Sequence, residues 1–224
     1  MAEMIASFSH AGLWSLYATG RAATLQTEED RRCVAILDLL AALPPDEALP
    51  DWLNPACVLG EAEHYCVTVS NGLRLAFSRQ DGQVSQVRLI SSAFERPGMT
   101  RVAPDYLERR PTQPGAIFRM LFLPATGLSP AHAARHLGVS HSSLNKFFGG
   151  DRRAVGDLAL SLAELTGTST VFWTRLQNAH DITPHRRSVV RGVPLSAIQT
   201  SIEAPPSLRR GRRIPARVPM AATA

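Results

Sequence analysis

The stretch SHSSLNKFFGGDRR, residues 140–153, concentrates side chains that can read a nucleic acid. On a helix of about 3.6 residues per turn, Leu144 and Phe147 share one face, while His141, Ser142, Ser143, Asn145 and Lys146 are turned away from it. All five outward residues are polar, and most are short. A helix in the major groove needs such groups at its N-terminal end, where Asn can pair bidentately with adenine and Ser can bond to either kind of base edge. Lys146, Arg152 and Arg153 would fall beside phosphates, adding affinity that weakens with salt but carries no sequence choice. The alternative is a bundle helix with a solvated outer face.

The preceding residues separate the two readings. In GLSPAHAARHLGV, 127–139, Ser129 can cap a helix, and Pro130 sits in a first turn, where its missing amide hydrogen would be unpaired anyway. Ala133 and Ala134 are small enough for a second helix to cross closely. Gly138, between Leu137 and Val139, can turn the chain without steric penalty, and Ser140 can cap the next helix. Together these predict a helix-turn-helix whose partner is double-stranded operator DNA. Its DNA-binding residues are Ser140, His141, Ser142, Ser143, Asn145, Lys146, Arg152 and Arg153.

Other chemistry is thinner. His132 and His136 stand four apart, a metal-ligand spacing, but no third ligand is near them in sequence. Cys33, Cys57 and Cys66, the last two residues from His64, contain no C-x-x-C pair and read as small reduced thiols. No metal and no cofactor is expected.

Upstream, residues 12–20 and 27–43 fit two helices. The second has Thr27 as its cap, acidic residues at the positive end of its dipole, and Pro44-Pro45 as its stop. The period then changes to that of strands: Tyr65, Val67 and Val69, a turn at Asn71-Gly72, Leu73, Leu75 and Phe77, a second turn at 79–82, then Val84, Val87 and Leu89. The fold class is therefore an α+β N-terminal domain, two helices plus an antiparallel meander over 1–94, followed by an all-α helix-turn-helix domain over 115–185. Four prolines mark 95–114 as a linker, and Pro and Arg dominate a tail, 186–224, expected to be disordered. Downstream of the turn, 157–167 fits one helix and 168–180 another, with Ser169 or Thr170 as its cap. The second of these carries Phe172, Trp173 and Leu176 along one side, more apolar area than so small a domain easily covers, so these three are expected to form a homodimer seam, the alternative being a purely intrachain core.

Charge divides the chain of 224 residues sharply. Residues 1–94 hold six Arg, no Lys and eleven acids, a balance of −5; residues 95–185 hold ten basic and seven acidic groups, +3; residues 186–224 hold eight Arg and Glu203, +7. The halves should have different partners. No apolar run approaches the ~18 residues of a membrane span, and Glu3 stands where a secretory signal would be positive, so a cytoplasmic protein is expected.

With these residues in hand, the segment 112–182 resembles the HigA antitoxins of the phage-repressor-like (lambda-repressor) helix-turn-helix class, through LGVS, FFGGDRR and GTS-x-x-FW-x-x-LQ. The family usually has a Ser-Pro helix start where this chain has Ala154 to Asp157. The front segment resembles HigB, a toxin of the RelE superfamily, through ATG at 18–20 and YCVTVSNGLRLAFSRQDG at 65–82. The chain then looks like toxin and antitoxin read as one polypeptide, in intramolecular contact. The resemblance implies a ribosome-dependent messenger-RNA endonuclease neutralised by its antitoxin and repressed through an operator. Two observations oppose the nuclease. Where the family's last strand ends in Asp, Tyr and His, this chain has VRLISS, 87–92, which cannot shuttle a proton near pH 7. A front domain at −5 would also be repelled by ribosomal RNA. Arg74 and Arg88 remain as vestigial candidates for phosphate stabilisation, and the expected function is a dimeric autorepressor with an inactive front domain.

Overall fold

The computed structural model describes residues 5–21, 27–57, 63–91, 101–104 and 107–190; the side chain of Thr27, the expected cap, and the tail from 191 onward lie outside the described residues. Residues Met1–Arg187 form one compact unit. The short strand β1 (Ser7–Phe8) leads into α1 (Ala11–Thr19), capped by His10 Nδ1, which accepts from Leu13 N at 3.0 Å. Helix α2 (Thr27–Ala42) begins with three acids and buries Ala35 to Leu40 without a break. A 3-10 turn (Asp51–Leu53) precedes β2 (Ala56–Cys57), β3 (His64–Ser70), β4 (Leu73–Gln80), β5 (Gln83–Ser91) and β6 (Arg101–Val102).

The sheet runs in the order β2-β3-β4-β5-β1-β6, larger than the expected three-strand meander. Strand β1 pairs parallel to β5, with Phe8 opposite Val87, and β6 closes the far edge antiparallel to β1. Two-residue strands carry no periodicity, so neither was readable in sequence. The meander itself stands as expected, with Val67, Val69, Leu73, Leu75, Phe77, Val84, Val87 and Leu89 buried against α1 and α2. Of its two turns, Asp81-Gly82 takes positive φ at both positions, 49° and 76°, whereas at Asn71-Gly72 only the glycine does. The second glycine is also sterically required: a Cβ on Gly82 would lie 2.2 Å from Pro45 Cα.

The helical part comprises α3 (Pro114–Ile117), a π-helical turn (Phe118–Phe122), α4 (Leu123–Thr126), α5 (Pro130–His136), α6 (His141–Gly149), α7 (Asp157–Thr166) and α8 (Thr170–Val190). The π turn has a local cause. In a regular helix the ring of Pro124 would crowd the carbonyl four residues back, and the wider turn relieves this, with Leu123 N–H reaching Phe118 O instead. Helix α8 runs on to Val190, past the expected domain end at 185. At the start of α7, Gly156 takes φ 57°, ψ −134° with no side-chain cap, in the stretch where the resembled family usually has Ser-Pro.

Two expectations are corrected. The segment 95–114 is no free linker where it is described: Arg101–Val102 is a strand, and Arg109 reaches back into the front half. There it meets Asp38 in a bidentate pair at 2.7 and 2.9 Å, with side chains 8% and 3% exposed. Asp38 also accepts from Thr112 N and Thr112 Oγ1, both at 2.7 Å, while Arg109 Nε donates to Tyr17 O. A carboxylate inside an apolar helix must be paired this fully, because an uncompensated buried charge costs several kcal/mol. The second correction concerns the dimer seam. Phe172, Trp173 and Leu176 are 0%, 0% and 1% exposed within the single chain. Phe118 packs 6.1 Å from Trp173, whose Nε1 donates to Thr168 Oγ1 at 3.0 Å. The front half adds further cover that the sequence did not disclose. Trp52 stands edge-on to Phe122 and donates to Thr166 O, and Glu47 accepts from both Ser169 N and Ser169 Oγ at the start of α8.

Candidate nucleic-acid interface

Helices α5 and α6 form the expected pair. Ser129 Oγ accepts from His132 N at 3.3 Å, and Ser140 Oγ accepts from Ser143 N at 3.1 Å. Gly138 turns the chain at φ 63° and Gly150 ends α6 at φ 89°. Ala133 and Ala134 are buried at the crossing, as are Leu144 and Phe147 of α6. One tight approach escaped the sequence reading: a Cβ on Gly115 would lie 1.9 Å from Phe147 O, so α3 and α6 touch backbone to backbone. Gln113 strengthens that contact, taking Gly115 N at 2.9 Å and donating to Phe148 O at 2.6 Å.

The outer face of α6 is open. Ser140, His141, Ser142, Asn145 and Lys146 are exposed, with Asn145 Nδ2 3.2 Å from His141 Nδ1. The other expected residues are partly engaged. Ser143 is half-buried and accepts from Arg152 Nη1, so it steadies that guanidinium rather than standing free. Arg153 pairs with Asp181 at 2.6 Å, which offsets part of its charge. Missed altogether was Arg119, exposed beside α6 in an open groove of ≈ 380 Å³ that it shares with Pro130, His141, Asn145, Phe148 and Gly149. Its distance in sequence from α6 hid it.

The front half holds the other candidates. Arg74 is exposed on β4, its Nη1 3.9 Å from Cys66 Sγ, and Arg88 is half-buried on β5 opposite Ala76. The fold sets His64 and Tyr65 of β3 around the same small recess as Arg88. Cross-strand neighbours are invisible until the register is known. Among the described residues no group of three or more His, Cys, Asp or Glu side chains could hold a metal, and no helix is long and apolar enough to cross a membrane.

Comparison with solved structures finds the following. A HigA-family addiction-module antidote protein from Coxiella burnetii matches at 28% identity over 38% of this chain and 99% of its own, with a TM-score of 0.34. The HigA antitoxin from Pseudomonas aeruginosa, solved with higBA promoter, matches at 33% over 44% and 100%, TM-score 0.33. Part of the chain is similar to HigA-type antitoxins. PA4674 from Pseudomonas aeruginosa, in complex with 28-base-pair operator DNA, matches at 31% over 42% and 92%, TM-score 0.33. No family model and no curated protein matches the chain.

Proposed function

We propose that the chain is a sequence-specific DNA-binding repressor of the HigA antitoxin kind, fused to a front segment of HigB-like (RelE superfamily) origin that serves as a structural partner. The observation that carries this reading is the outer face of α6. Ser140, His141, Ser142, Asn145 and Lys146 lie exposed on a helix whose other side is locked by Leu144 and Phe147. A rigid helix with a short polar face fits the major groove, and the guanidinium of Arg152, braced by Ser143, suits a phosphate. A palindromic site requires two copies. With Phe172 and Trp173 internal, the exposed apolar side chains among the described residues are Val102, Val155, Leu160, Val171 and Ile182, of which the last two lie roughly 20° apart around α8 and could face a second copy. The test is a gel-shift competition between DNA upstream of the chain's own coding sequence and random duplex. A preference of about 10³ or more at moderate salt is expected; equal competition would refute the reading.

A second reading, a messenger-RNA endonuclease silenced in cis, draws on the recess where His64 and Tyr65 meet Arg88. It is tested by expressing residues 1–113, since a cut at 94 would strip away β6 and leave Asp38 without Arg109. Growth arrest with cleaved messages would favour the nuclease, and harmless accumulation would favour the repressor.

A further inference from the structure

The recognition face of α6 is not symmetric in what flanks it. At about 100° per residue, His141, Asn145 and Phe148 fall along one edge of the helix, and Ser143 falls roughly opposite them; Ser142 and Lys146 lie on the outer face between. On the Ser143 edge stands Arg152, held by the serine hydroxyl. On the other edge stands Arg119, contributed by the π turn, with its guanidinium carbon 5.9 Å from the centre of the Phe148 ring. Among the described residues Arg119 makes no ion pair, in contrast to Arg153 with Asp181.

Building on the proposed DNA-binding role of α6, we infer that Arg119 is a further phosphate-binding residue of this interface, meeting a phosphodiester of duplex DNA on the flank of α6 opposite Arg152. A major groove is about 12 Å wide and a helix with its side chains about 10–12 Å across, so a docked helix has a sugar-phosphate strand along each side. With Arg119 on one edge of α6 and Arg152 on the other, each strand would have a guanidinium on its side. The Phe148 ring limits the wandering of the Arg119 side chain, and a pre-placed cation loses less freedom when it binds. Arg119 thereby adds the π turn to a site that the sequence places over residues 140–153.

The experiment titrates the full chain and its Arg119→Gln and Arg119→Met variants against operator duplex and random duplex of equal length, over a range of salt. The methionine variant keeps an apolar stem against Phe148. Loss of one phosphate contact should reduce the slope of log affinity against log salt by about 0.9. Both duplexes should weaken by the same factor, and Arg119→Lys should restore the slope. An unchanged slope in both variants, or a loss confined to the operator as a base contact would give, overturns the assignment while leaving α6 as the reader. Equal binding of the two duplexes by the unsubstituted chain would instead refute the DNA-recognition reading itself.

Discussion

At the scale of single residues, the proposed repressor reads bases through Asn145, on a helix that Gly115 lets α3 approach. Replacing Asn145 with Ala should remove about 1–3 kcal/mol of discrimination between operator and random duplex while leaving random binding unchanged, as measured by competition titration. Gly115→Ala should act differently. Its new methyl group would meet Phe147 O, so α3 and α6 must part, at a cost of about 1–3 kcal/mol visible as a lower denaturation midpoint. Thiol chemistry gives an independent check of the front core. Burial, then the charges of Asp30 and Glu29, push the Cys33 thiol up to about 12, which leaves almost no thiolate at neutral pH. A thiol reagent at pH 7.5 should label exposed Cys57 and spare Cys33 until the chain is unfolded. Rapid labelling of Cys33 in the native protein would contradict the packing of α2.

Elements show what sequence can and cannot disclose. Ser129, Gly138 and Ser140 are legible because caps and turns are decided by neighbours a few residues away. The amphipathic meander was legible for the same reason. Strands β1 and β6 were not, being too short to repeat, and the fate of Phe172 and Trp173 was misjudged because their cover comes from afar. Phe118 lies 54 or more residues upstream, and Trp52 and Glu47 are farther still. A surplus of apolar area on one helix was real; its partner was the same chain. Glu47 caps α8 together with Ser169, whose Oγ accepts from Phe172 N at 3.1 Å. Glu47→Ala should therefore cost about 1 kcal/mol, the usual scale of a lost helix cap, read in a chemical melt. No change would mean that the front half does not brace α8.

For the whole molecule, the Asp38–Arg109 pair turns an apparent spacer into a joint. Arg109→Ala would strand a buried carboxylate and should destabilise the chain by about 3–5 kcal/mol in a denaturant melt. A protease site inserted within 92–100 should, once cut, leave two fragments that elute together, since Arg109, Trp52 and Glu47 still bind across the break. The front and helical segments then belong to one compact unit rather than two tethered ones, and in the proposed repressor the polar face of α6 is what that fold presents to DNA. The most direct measurement of that claim is a footprint of the chain on the DNA upstream of its own coding sequence, compared with the His141→Ala, Asn145→Ala double variant. The account predicts a protected palindrome that disappears in the variant while melting behaviour is unchanged; protection that persists in the folded variant would contradict it.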